Sequence, residues 1–209
     1  IFFCNRVFCT SRYSYTAKHK KTLIMPVGID TDIFSPNDQQ NYIPRSILFI
    51  SRMSPVKRPD KLVDTLLSLN KKDIKFYANF YGNPSAEDTE YYNGLIKRVA
   101  DSGLSSDIKF YPAIRNNLTP DVYRRHMISV NLSPSGMYDK TIFEAALCGA
   151  LPLSSNHNLF GEWDDRLLFK EGDDNDLANK LTDLLSLSRA DHTALSNNAG
   201  EYVKRKHSL

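Results

Sequence analysis

No two of the three cysteines, Cys4, Cys9 and Cys148, stand in a C-x-x-C spacing. A disulfide framework and a zinc site are therefore unsupported, and a reducing, cytosolic setting is expected. No apolar run approaches the roughly 18 residues of a spanning helix. Ile1, Phe2 and Phe3 open the chain without a methionine or a basic segment, so no signal peptide is expected and the start reads as the interior of something longer. There is no internal repeat, no low-complexity tract and no long block of one charge. Lys18, Lys20 and Lys21, Lys71 and Lys72, Arg124 and Arg125, and Lys204 to Lys206 are scattered, a pattern that argues against nucleic acid and allows phosphorylated small molecules or an anionic membrane surface. No Ser-His-Asp or Cys-His arrangement is defined by spacing. His126 and His157 lie near strand ends, where a lone histidine is most often a satisfied structural side chain.

What remains is ordinary for a globular protein: 209 residues, 41% hydrophobic, 24% charged, net charge +3. That length supports one large domain, or a domain with an appendage. Asn5–Thr10 and Thr22–Met25 read as two short strands around a basic loop, and the polar stretch through Asn41 reads as a linker. From Arg45 onward strands and helices alternate. Strands are expected at Ser46–Ser51, Ile74–Tyr81, Ile108–Tyr111, Ile128–Leu132 and Leu151–Ser154, with a sixth at Leu167–Phe169. Helices are expected from Pro59, with Leu62, Val63, Leu66, Leu67 and Leu69 inward, over Ala86–Ser102, with Tyr92, Leu95, Ile96 and Val99 inward, and after Thr119-Pro120-Asp121. Two more close the chain at Asn175–Leu187 and Arg189–Lys206. Short apolar strands joined by helical crossovers imply an α/β fold, a Rossmann-like, doubly wound parallel sheet covered on both faces. Its ligands bind at the carboxyl ends of the strands.

The central stretch is Ser133–Leu153, S-P-S-G-M-Y-D-K-T-I-F-E-A-A-L-C-G-A-L-P-L. A loop of small residues runs into a short apolar helix that Gly149 ends. Helix N-terminal donors beside a glycine suit a phosphate, and Glu144 follows one turn later. A plainer reading stays open: Thr141 and Glu144 have the T-x-x-E spacing of a capping box, which makes Glu144 a helix starter. Arg52 and Lys57 fall in the loop after the first main strand, S-R-M-S-P-V-K-R-P, where two cations can neutralise a diphosphate. That loop lacks glycine, which sets aside a dinucleotide-binding oxidoreductase with its G-x-G-x-x-G. Asp30-Thr31-Asp32 has D-x-D spacing but belongs to the linker, and no metal is assigned to it.

Together these segments resemble the large retaining glycosyltransferase family with the GT-B fold (family four, glycogen-synthase-like). That family reads Glu-Gly-Phe-Gly, four residues, then Glu-Ala-Met-Ala-x-Gly-x-Pro; Glu144, Ala145, Gly149 and Pro152 fall in register. Its Gly-Arg, four residues, Lys-Gly element corresponds to Arg52 and Lys57. The chain departs where Gly136 replaces the first glutamate, where Asp139-Lys140 replaces the second glycine and its neighbour, and where Ser51 and Arg58 replace glycines. V-G-I-D-x-x-x-F at Val27–Phe34 resembles the segment entering the crevice between the two GT-B halves.

The resemblance implies one half of a GT-B fold: residues 1–41 as a remnant of an N-terminal acceptor domain with its linker, and 42–209 as the nucleotide-sugar-binding domain. It implies a hexosyltransferase-type retaining enzyme of polysaccharide or lipid-linked glycan assembly. This chain would bind a UDP or GDP sugar and, without the acceptor half, not transfer it. Arg52, Lys57 and Glu144 take catalytic places, Glu144 holding the ribose hydroxyls. Gly28, Ala113, Ile114, Arg115, Ser135, Gly136, Met137, Tyr138, Asp139, Lys140 and Thr141 take donor-binding places, with Arg115 on the base. No metal and no cofactor beyond the donor is implied. The partners are a nucleoside-diphosphate sugar and a glycan or lipid-linked acceptor, in the cytoplasm with peripheral membrane association left open, and no nucleic acid. A non-catalytic relative serving as an interaction or scaffold module is the alternative.

Overall fold

The computed structural model describes residues 3–37, 42–136 and 138–209. Two short parallel strands, β1 (Val7–Cys9) and β2 (Thr22–Ile24), pair beside the main body. The main sheet holds five parallel strands: β3 (Ile43–Ile50), β4 (Tyr77–Tyr81), β5 (Ile108–Tyr111), β6 (His126–Asn131) and β7 (Leu151–Ser154). Their spatial order is β5-β4-β3-β6-β7. The chain starts in the middle, builds outward to one edge, then crosses back beyond β3 to build the other. The doubly wound sheet expected from the sequence is present, and its switch point lies between β3 and β6.

Burial explains the strand sequences. Consecutive residues Ile47, Leu48 and Phe49 are 0%, 0% and 2% exposed, so both faces of β3 are covered and the strand reads as a continuous apolar run. Three helices, α1 (Pro59–Lys71), α2 (Thr89–Asp101) and α3 (Thr119–Arg124), are followed by α4 (Lys140–Leu147), α5 (Asp174–Leu185) and α6 (Arg189–His207). α1 packs with α5, and α4 with α6. On α1, Leu62, Val63, Leu66 and Leu69 are buried as expected, whereas Leu67 is half-buried. On α2 the inward stripe is Leu95 and Val99 with Tyr92 against it; Ile96 is exposed, because α2 covers the edge of the sheet at β5 and only a narrow face finds cover.

Boundaries differ from the sequence reading where turns compete with regular structure. β3 begins at Ile43, with Arg45 in the left-handed region (φ 60°) and a shift of register between Ile43 and Ile47. β4 begins only at Tyr77, after Asp73 turns the chain at φ 61°. Leu167–Phe169 forms no strand: Leu168 makes a single bridge to Ser154. Asp30 Oδ1 accepts from the backbone N–H groups of Asp32 (3.0 Å) and Ile33 (3.2 Å), so the D-x-D spacing is spent on a turn.

Ile29 and Phe34 are buried in the main core, and the Leu209 N–H reaches the Ile29 carbonyl at 3.1 Å. Cys148 is also core, and burial pushes its thiol up to about 12. Cys4 is exposed and Cys9 half-buried. Two cysteines should therefore alkylate in the native state, Cys148 reacting only on unfolding; peptide mass mapping before and after denaturant reads this directly.

Candidate functional site

At the switch point three loops face one another across a cleft of about 530 Å³. The loop after β3 contributes Ser51, Arg52 and Lys57, the loop after β4 contributes Gly82 to Ser85, and the loop after β5 contributes Ala113 and Ile114. Asp139 and Thr141, from the start of α4, close the fourth side. Asn83 ties the walls together. Its Oδ1 accepts from the Ala113 N–H at 3.0 Å, and its carbonyl from the Met53 N–H at 3.1 Å.

Lys57 and Asp139 bridge the β3 and β6 loops. Lys57 Nζ donates to Asp139 Oδ2 (2.6 Å) and to Ser133 Oγ (2.9 Å), and Ser133 Oγ donates to the same Asp139 oxygen (2.8 Å). Burial pushes the Asp139 carboxyl up, but the charge and hydrogen bond of Lys57, with the Ser133 and Thr141 bonds, outweigh it and hold the group below 3.8. Arg52 is exposed and, among the described residues, has no acidic partner.

Asp139 also starts α4. Its Oδ1 accepts from the Thr141 N–H at 3.3 Å and the Thr141 hydroxyl at 3.0 Å. The capping box suggested by Thr141 and Glu144 is therefore not used. The helix begins at Lys140, too early for Glu144 to reach back to the cap, and an aspartate fills the anion's place at its N-terminus. At the other end the Gly149 N–H bonds the Ala146 carbonyl and the Ala150 N–H the Ala145 carbonyl, with Gly149 at φ 90°. These are the paired bonds of a Schellman cap.

Glu144 is 5% exposed. It accepts from Tyr123 Oη (3.1 Å) and Asn116 Nδ2 (3.3 Å) and stands just outside the cleft lining. Burial raises its carboxyl above 4.5, the two hydrogen bonds pulling the other way. Glu144→Ala strands the fully buried Tyr123 hydroxyl, and should cost about 2 kcal/mol in urea unfolding. The pH dependence has two opposite limbs. Asp139, depressed, contributes stability above 3.8 that is lost as pH falls through its folded value. Glu144, raised, contributes stability that is present below 4.5 and lost as pH rises through its folded value. Asp139→Asn should therefore shrink the acid loss, and Glu144→Gln should flatten the decline above 4.5, both read from urea midpoints against pH.

The cleft thus gathers Arg52, Lys57, Ala113, Ile114, Asp139 and Thr141. The remaining residues singled out in the sequence lie outside its lining. Lys140 Nζ reaches the Gly28 carbonyl at 3.2 Å, and Arg115 is exposed. Ser135 is buried, donating to Glu171 Oε2 at 3.0 Å, while Gly136 is exposed. Met137 lies outside the described residues. Tyr138 lines a second cleft of about 640 Å³ with Arg12, Glu162, Tyr202 and His207, and its hydroxyl donates to the Asn158 carbonyl. His126 is structural, paired with Asn79 and the Val122 carbonyl. No sequence motif marks Gly82 to Ser85. A glycine immediately after an apolar strand was the available signal. Among the described residues no three His, Cys, Asp or Glu side chains gather as around a metal ion.

In a doubly wound α/β domain, a cleft at the switch point is where such sheets bind their ligands. Residues 33–205 match the family described as Glycosyl transferases group 1, and the chain belongs to that family. The D-inositol 3-phosphate glycosyltransferases of Geodermatophilus obscurus and Frankia alni are each 26% identical over 147 residues. The match takes 65% of this chain but only 33% and 36% of theirs, so the chain spans about a third of those relatives. Among solved structures, Anabaena HepE in complex with UDP and glucose superposes with a TM-score of 0.83 at 19% identity, over 99% of this chain and 60% of that one. The C-terminal domain of the group 1 family protein LpcC from Francisella tularensis gives 0.76 at 21%, over 87% of this chain and all of that one. The fold is therefore that of the C-terminal, Rossmann-like half of GT-B glycosyltransferases.

Proposed function

We propose that this chain is the donor-binding part of a retaining glycosyltransferase, holding a nucleoside-diphosphate sugar in the switch-point cleft. The single observation that carries the reading is the placement of Arg52 and Lys57 in one cleft with the Ala113–Ile114 backbone. The two cations suit a diphosphate, and the Ala113–Ile114 backbone in the same cleft suits a base. As the bond from the anomeric carbon to the diphosphate breaks, charge builds on the β-phosphate, and fixed cations stabilise it without reorganising. Arg52 and Lys57 take that role, and no metal is invoked. Glu144 accepts ribose hydroxyls once Asn116 or Tyr123 yields. HepE, a similar fold, is known in complex with UDP-glucose, which favours a UDP sugar here.

Residues 1–41 are read as the last part of an acceptor domain. In support, the β1–β2 sheet leaves its paired Phe8 and Leu23 exposed on one face, and Ile24 and Met25 exposed as well, apolar surface that another domain would cover. The acceptor, a glycan or lipid-linked sugar, then comes from that other half, in the cytoplasm or at a membrane face. No helix among the described residues is long and apolar enough to cross a membrane. The test is transfer by the full-length protein from UDP, GDP and ADP sugars, with the product anomer assigned by NMR. Transfer with retention is expected; an inverted product overturns the mechanism, and donor binding without any turnover favours the scaffold alternative.

A further inference from the structure

The strongest charge in the cleft is already answered from within the protein. Lys57 and Asp139 expose only 20% and 14% of their side chains and meet at 2.6 Å. Ser133 closes the triangle by bonding both. Among the cleft's charged side chains, Arg52 and Lys57 face one carboxylate, so the net charge offered to a diphosphate is one positive, not two. The carboxylate cannot simply swing away, because its other oxygen caps α4 through Thr141. Its ionised state is held by the same contacts, so it stays an anion at neutral pH.

We infer that Asp139 is a resident counter-ion with which the donor's diphosphate must compete for Lys57, and that it thereby sets the cleft's affinity for nucleoside diphosphates. This rests on the donor-site reading above and adds a residue that opposes binding to those that promote it. In the empty cleft the carboxylate keeps the long Lys57 side chain extended into the site, sparing the donor the cost of ordering it. With a diphosphate in place the same carboxylate is a close like charge. Holding the cation and weakening its grip are one contact seen in two states.

The consequence is opposite to that for a residue that only binds or only supports. Asp139→Asn keeps an N-cap of equal quality and removes the charge. It should bind the nucleoside diphosphate about tenfold more tightly, the scale of one close like charge in a partly solvated site. Lys57→Met should bind weakly, because it strands the carboxylate in the cleft. Adding Asp139→Asn to Lys57→Met should recover part of the lost affinity, a rescue that a merely structural cap would not give.

The experiment is calorimetric titration of the wild-type chain, Asp139→Asn, Lys57→Met and the double variant with UDP, GDP and ADP, with thermal unfolding run on each. Asp139→Ser, another good cap, stands in if the asparagine variant is unfolded. Tighter binding by the neutral variant and rescue in the double variant support the inference. Wild-type binding with equal or weaker binding in both neutral variants overturns it and leaves the donor-site reading intact. No binding by the wild type or any neutral variant overturns the donor-site reading and this inference with it.

Discussion

Arg52→Ala combined with Lys57→Met should remove nucleoside-diphosphate binding from a chain that still folds. Each side chain stands to make charge-assisted bonds to phosphate oxygens, worth about 1.5–3 kcal/mol apiece, so the pair accounts for at least a hundredfold in affinity. The two substitutions separate in their effect on stability. Arg52 is exposed and without an acidic partner among the described residues, so its loss should leave the unfolding midpoint within experimental error. Lys57 neutralises the largely buried Asp139, and its loss should lower the midpoint measurably. Equal affinity in the double variant and the wild type, by calorimetry, would remove both residues from the site.

Gly82→Ala is the most damaging single substitution expected. A Cβ on Gly82 would stand 1.8 Å from the Ser51 carbonyl oxygen and 2.9 Å from its carbon, both backbone atoms. No side-chain rotation relieves that overlap, so the ends of β3 and β4 must part where the Ser51 N–H bonds the Tyr81 carbonyl. The cost should reach about 3 kcal/mol or more in urea unfolding. Because Ser51 and Gly82 both line the cleft, diphosphate binding should fall further than the loss of folded protein explains. A Gly82→Ala variant of wild-type stability would show that the two strand ends are not held in this approach.

The sequence made the architecture legible wherever both faces of an element are buried. Ile47 to Phe49, the Val130 region and Leu151 to Leu153 read as strands because an unbroken apolar run has few other homes. It failed where backbone turns decide. Ile74 to Phe76 look as strand-like as Tyr77 to Tyr81, but Asp73 in the left-handed region redirects the chain first. Leu167 to Phe169 is apolar because it packs beneath the edge of the sheet, and apolarity alone does not tell a single bridge from a strand.

The site was legible in part for a related reason. Arg52 and Lys57 follow a strand whose carboxyl end must face the ligand, so position in the topology identified them. The dual role of Asp139 is hidden in the sequence: T-x-x-E at Thr141 and Glu144 looks the same whether the box forms or an aspartate two residues earlier takes the cap. Only the geometry shows that the aspartate takes both the helix and the lysine. Asn83, which ties the three loops by single hydrogen bonds, carries no sequence pattern at all.

The most direct test of the account is to map nucleotide contacts by amide chemical-shift perturbation, adding UDP, GDP and ADP in turn to the isotopically labelled chain. One of the three should move the amides of Arg52, Lys57, Gly82, Asn83, Ser85, Ala113, Ile114 and Thr141, saturating together. Shifts confined to the second cleft, around Arg12, Tyr202 and His207, or none with any nucleotide, would contradict the claim that the switch-point cleft is the donor site.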